Sequence, residues 1–104
     1  MKDINSVEEF DAEAQSEGLT VAKFWAAWCG PCRSFAPVVE EVAEQVGPLA
    51  TFVNVNIEDV PDLASRYQIR SIPAMVFIKD GVLVETHVGS IPASEIRAKV
   101  DEHK

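Results

Sequence analysis

The chain has little sulfur and little histidine. Cys29 and Cys32 are the only cysteines among 104 residues, and His87 and His103 are the only histidines. Tetrahedral zinc needs four ligands, and two histidines at unrelated positions do not complete a Cys-x-x-Cys half-site, so no metal centre is expected. Basic side chains are also scarce, 9 against 17 acidic ones, for a net charge of -8. Nucleic acid and anionic membrane surfaces are disfavoured as partners, because both are held by basic clusters. The acidity is read as solvation, which keeps a small protein soluble, and a monomer is expected. No apolar run is long enough to cross a bilayer. Met1 to Ser6 has no hydrophobic signal region, so the chain is expected to stay in the cytosol, where a cysteine pair is metal-binding or catalytic rather than a permanent staple. Linkers, repeats and low-complexity tracts are missing too, and residues 1–104 read as one domain.

What is present is periodic. Lys2 to Asn5 can supply a short edge strand. Ser6-Val7-Glu8-Glu9 has the form of a capping box, followed by Val7, Phe10 and Ala14 at helical spacing and an exit at Gly18. Leu19 to Ala26 is almost continuously apolar, as a central strand covered on both faces would be, with Lys23 the exception. After the cysteines, Phe35, Val38, Val39, Val42, Ala43 and Val46 form one face of an amphipathic helix, and Glu40, Glu41, Glu44 and Gln45 form the other. Pro37 predicts a kink in that helix, and Gly47-Pro48 its end. Leu49 to Ile57 reads as a second inner strand. Asp59 is positioned to cap a short helix containing Pro61, Leu63, Ala64 and Tyr67. Ala74 to Ile78 and Val82 to Val88 flank Lys79-Asp80-Gly81, a hairpin signal, and a last helix spans Pro92 to Val100 with Ile96 and Val100 inward. The reading is an α/β fold: parallel strands joined by right-handed crossovers, an antiparallel edge, and helices on both faces of the sheet.

Trp28-Cys29-Gly30-Pro31-Cys32 lies where the first inner strand passes into a helix. Free N–H groups and the helix dipole at that point favour an anion, so Cys29 is expected to have a lowered pKa and to act as a nucleophile. Cys32, one turn further in and more covered, is the expected resolving thiol. Cys29 would attack a substrate disulfide, and Cys32 would then attack Cys29 in the mixed disulfide. Gly30 permits close approach of a partner backbone, and Pro31 suits an early helical position while restricting the reduced pair.

The chain resembles the thioredoxin family across nearly its whole length: Phe24 to Cys32, Ala36-Pro37, Asn56-Ile57-Glu58, Tyr67 to Ala74, Phe77 to Gly81 and Val88-Gly89. The resemblance implies a thioredoxin fold, with a central mixed sheet of about five strands flanked by four helices. It implies reduction of protein disulfides with no bound cofactor. The partners implied are disulfide-containing proteins and a thioredoxin reductase, a flavin enzyme that returns electrons from NADPH. By the same resemblance Trp28 shapes the surface beside the nucleophile, and Trp25 supports the active-site loop. Pro73 corresponds to a cis-proline facing the sulfurs, which leaves the Ile72 backbone free to pair with an extended substrate. Gly89 corresponds to a glycine lining the substrate groove, which would comprise Trp28, Ile72, Pro73 and Gly89.

Two positions depart from the family pattern. Lys23 stands where most members have a buried aspartate behind the second cysteine, and Asn54 where they have a lysine on the adjacent strand. Either Lys23 points toward the sulfurs and its charge favours the thiolates, or its stem lies along the sheet and its amine reaches solvent. Glu58 and Asp59 read as surface charges or a cap rather than as replacements for the missing carboxylate. The departures keep two alternatives beside a general reductase. One is a specialised oxidant or isomerase-like relative with a shifted redox potential. The other is a non-enzymatic thioredoxin-fold binding subunit.

Overall fold

The computed structural model describes residues Met1–Lys104. Its elements run β1 (Lys2–Asp3), α1 (Val7–Ala14), β2 (Leu19–Trp25), α2 (Gly30–Val46), β3 (Ala50–Asn56), α3 (Pro61–Arg66), β4 (Ala74–Lys79), β5 (Val82–Val88) and α4 (Ala93–His103). The strands form one mixed sheet in the order β1-β3-β2-β4-β5. β3 pairs in parallel with β1 and β2, and β4 pairs antiparallel with β2 and β5. The five strands and four helices match the arrangement expected from the sequence.

Strand alternation sends successive residues to opposite faces, and each face is covered by two helices. Ala22, Phe24, Val53, Val55, Val76 and Ile78 meet Phe10 and Ala14 of α1 and Leu63 of α3. Leu19, Val21, Phe52, Met75 and Phe77 meet Phe35, Val39 and Val42 of α2 and Ile96 and Val100 of α4. β2, buried on both faces between β3 and β4, is the central strand that its apolar run predicts.

Local chemistry explains the ends of the elements. Ser6 caps α1 by accepting the Glu9 N–H at 3.1 Å, which is one half of the capping box. At the other end of β2, Asp80 and Gly81 take φ of 50° and 84°, the two positive values that a tight hairpin turn requires. The Asp80 N–H donates to the Gly18 carbonyl at 2.9 Å, and Asp80 Oδ1 accepts the Gly18 N–H at 2.7 Å. This pair of bonds ties the hairpin tip to the start of β2.

Three expectations change. Asp59 does not cap α3; the N-cap is Val60, which offers no side-chain bond. Pro61 takes the first helical position, which fixes the cap one residue later and pushes that residue out of helical geometry. Asp59 instead lies in a turn closed by Asn56, whose carbonyl accepts the Asp59 and Val60 N–H groups at 3.1 and 3.0 Å. The start of β3 moves from Leu49 to Ala50, because a short 3-10 turn over Gly47–Leu49 follows α2, which itself runs without a break through Pro37 and ends at Gly47 as expected. α4 begins after Pro92 and continues past Val100 to His103.

Candidate active site

The site forms where β2 ends and α2 begins. Cys29 is the N-cap residue of α2, with extended backbone at φ -87° and ψ 105°. Its Sγ accepts the Cys32 N–H at 3.2 Å, as the oxygen of a serine or aspartate cap would. Gly30 and Pro31 are the first two helical residues, and Pro31 has no N–H, so the Cys32 N–H is the donor aimed at the sulfur. The Cys29 N–H is fixed by the Ala26 carbonyl at 3.1 Å. Cys29 and Cys32 are joined by a disulfide, with Cα atoms 5.3 Å apart. Both are buried in this state, Cys29 at 5% exposure and Cys32 at 2%, so the first residue is the less covered of the two.

Around the sulfurs the expected residues gather. Trp28 is 64% exposed at the rim, and Pro31 is exposed beside it. Trp25 is partly buried and packs against Ala26, Cys29 and Cys32 from below, as does Ile72 from the opposite loop. The Ile72–Pro73 bond is cis. The Ile72 carbonyl oxygen lies 3.8 Å from Cys29 Sγ, and neither its carbonyl nor its N–H joins a backbone hydrogen bond. The Pro73 carbonyl is taken, accepting the Gly89 N–H at 2.8 Å. Gly89 holds φ 101°, a conformation open to glycine at little cost. Pro73 itself is buried, while Trp28 is exposed and Ile72 and Gly89 are partly exposed.

Behind Cys32 lies a second feature. A cleft of about 250 Å³ is lined by Asp3, Lys23, Trp25, Cys32, Arg33, Ala36, Glu40 and Asn54. Strand register produces it: Asp3 of β1, Asn54 of β3 and Lys23 of β2 are aligned neighbours across the sheet, on the face covered by α2. Lys23 is only 4% exposed and makes no hydrogen bond or ion pair, yet its amine is not sealed; the one fully buried side-chain atom without a partner is Asn54 Oδ1. Asn54 Nδ2 donates to Asp3 Oδ1 at 3.1 Å. Burial pulls the Lys23 ammonium below the ordinary lysine range, while the charges of Glu40 and Asp3 push it back up. Lys23 is thus buried along the sheet, and it lines the cleft that Cys32 also lines.

Asp3, Arg33 and Glu40 were not anticipated here. Glu40 was legible in principle, because Cys32, Ala36 and Glu40 recur every fourth residue along one stripe of α2. Asp3 was not, because it enters through the β1–β3 register.

A cysteine pair at a strand-to-helix junction, with one sulfur capping the helix and a cis-proline loop against it, defines a dithiol–disulfide oxidoreductase. The thioredoxin family model matches residues 2–102, and the chain belongs to the thioredoxin family. It is 40% identical over 96 residues to the thioredoxin of Bacillus subtilis, covering 92% of this chain and 91% of that one. Thioredoxin 1 of Synechococcus elongatus is 48% identical over 80 residues, which is 77% of this chain and 75% of that protein. The X-ray structure of Fasciola hepatica thioredoxin superposes with a TM-score of 0.91 at 31% identity, covering 100% of both chains. The chain is thus a disulfide reductase working through Cys29 and Cys32. These relatives favour neither the specialised oxidant or isomerase nor the non-enzymatic binding subunit.

Proposed function

We propose that this chain is a general reductase of disulfide-containing cytosolic proteins, acting as a single-domain monomer and recharged by an NADPH-dependent flavin thioredoxin reductase. In that role it carries electrons for cell redox homeostasis. The observation that carries the reading is the placement of Cys29 Sγ at the α2 N-cap, 3.8 Å from a carbonyl whose backbone is otherwise unpaired.

In the reduced chain, the helix N-terminus and the Cys32 N–H stabilise the Cys29 thiolate. The thiolate attacks one sulfur of the substrate disulfide, forming a Cys29–substrate bond and releasing the other sulfur as a thiolate. Cys32 then attacks Cys29, the internal disulfide forms, and the second substrate sulfur leaves with its electron pair. Two electrons pass from the dithiol to the substrate. Trp28, Ile72, Pro73 and Gly89 form the groove, in which an extended segment pairs with the free Ile72 N–H and carbonyl. Trp25, Gly30 and Pro31 hold the loop in shape. Lys23 supports the site from behind.

Insulin reduction coupled to NADPH oxidation through a bacterial flavin thioredoxin reductase tests this. The wild-type chain is expected to turn over, Cys29→Ser to lose all activity, and Cys32→Ser to accumulate a Cys29-linked mixed disulfide visible by mass. No turnover by the wild-type chain, with the reductase active on its own thioredoxin, would overturn the reading.

A further inference from the structure

Cys32 is buried, and a buried thiol resists ionisation because its anion loses water. Yet the resolving step needs Cys32 as a thiolate. Among the groups facing the cleft behind it, Lys23 of β2 is the cation with no partner of its own. Arg33 of α2 also lines the cleft, but its guanidinium donates to the Ala27 carbonyl at 2.7 Å. Asp3 of β1 and Glu40 of α2 are the anions, and neither lies close enough to Lys23 to form an ion pair. Asn54 of β3 is neutral and already engaged with Asp3. A lysine more than nine-tenths buried, without a bond, at the wall of a water-accessible cleft shared with the resolving sulfur has no structural task that a leucine would not perform better.

We propose that Lys23 is a positioning residue for the resolving step, and that its ammonium, facing the cleft behind Cys32, favours the Cys32 thiolate over the thiol. The inference rests on the mechanism proposed above. The Cys32 proton passes to water in the cleft, and the thiolate forms the bond to Cys29 as the Cys29–substrate bond breaks. The departing substrate thiolate takes up a proton from solvent, so the step needs no other reactant. Glu40 and Asp3, carrying negative charge on the same cleft, help to keep the lysine protonated against its burial.

The test isolates Cys32 in the Cys29→Ser chain and titrates its thiolate by absorbance near 240 nm. Adding Lys23→Met or Lys23→Gln is expected to lower the Cys32 thiolate fraction at pH 7 by roughly tenfold, and Lys23→Arg to restore it. In the chain with both cysteines, stopped-flow decay of a preformed mixed disulfide should be about three- to fourfold slower at pH 7 in Lys23→Met. The slowing is smaller than the loss of thiolate because a more basic thiolate is a stronger nucleophile. Above the thiol pKa the order should reverse, with Lys23→Met the faster. A merely structural lysine produces no such crossing. A readout that leaves Lys23 in place uses its Nζ resonance: its pKa should be higher in Cys29→Ser than in Cys29→Ser/Cys32→Ser, because only the first can form the thiolate. Equal Cys32 titrations with and without the lysine charge, or an Nζ resonance indifferent to Cys32, would overturn the proposal. The thiol titrations require no turnover, so their failure is distinct from failure of the insulin assay.

Discussion

The two faces of the sheet are made by alternate residues of the same strands, yet they differ in kind. The face under α1 and α3 is closed by apolar side chains from Ile4 to Ile78. The face under α2 and α4 is apolar over most of its extent, but at the Cys32 end it opens into the cleft with Lys23, Asn54 and Asp3. At its far side it carries Glu85 of β5, clamped by Lys99 and His103 of α4. On β2 the even-numbered Ala22 and Phe24 close one face, whereas the odd-numbered residues do two jobs: Leu19 and Val21 pack under α2 and α4, and Lys23 and Trp25 reach the site.

The largest effect is expected at Phe24, fully buried on the closed face. Phe24→Ala should cost about 3–5 kcal/mol in urea denaturation of the oxidised chain. Its neighbour on the open face should behave oppositely: Lys23→Met removes a desolvated amine and should gain about 1 kcal/mol. The pH dependence sharpens this point. The folded-state pKa of Lys23 lies below its unfolded value, so the unfolded chain binds more protons between the two, and stability should rise with pH across that alkaline window. In Lys23→Met denaturation midpoints, that rise should be absent.

Glu85 gives a smaller effect in the acid range, where its charge stabilises the fold instead of costing it. Burial alone would raise its carboxyl, but hydrogen bonds from Lys99 and His103, and their charges, hold it below the ordinary range. Its stabilising contribution is present above the unfolded pKa and is lost as pH falls through the folded one. Glu85→Gln should therefore flatten the acid limb of the stability profile, by about 1 kcal/mol or less in so solvated a cluster. The smallest change is expected on the closed face, where Arg66 of α3 bonds Asp11 of α1 at 2.6 Å but both remain partly exposed. Asp11→Ala should lower the unfolding free energy measured in urea by about 0.5 kcal/mol, and by less in high salt.

Much of this was legible beforehand, for reasons that differ by residue. The strands declare themselves through continuous apolar runs, and Asp80-Gly81 through the positive φ that a tight turn demands. Cys29 as a helix cap follows from its position between run and helix. Pro61 overrode the capping chemistry of Asp59, because a proline's fixed geometry outweighs a carboxylate's preference for the cap. The cis bond before Pro73 has no local signature and was reached through the family resemblance. Lys23 and Asn54 were visible as anomalies, but Asp3 was not: it meets Asn54 only once register is fixed, and register is a property of paired strands rather than of either alone. The Glu85, Lys99 and His103 cluster was hidden for the same reason.

That dependence gives the clasp between Asp80 and Gly18 a meaning beyond local order. A slip of β2 by one residue would send Phe24 into the cleft and Lys23 among the side chains of the closed face. The paired bonds at 2.7 and 2.9 Å sit at the end of the sheet remote from the sulfurs, where they pin Gly18, the residue just before β2, to the tip of the hairpin. They act as the fixed point of a ruler laid along the strand. Every side chain at the working end is addressed by counting from it, and sequence can change around Cys29 without losing its place.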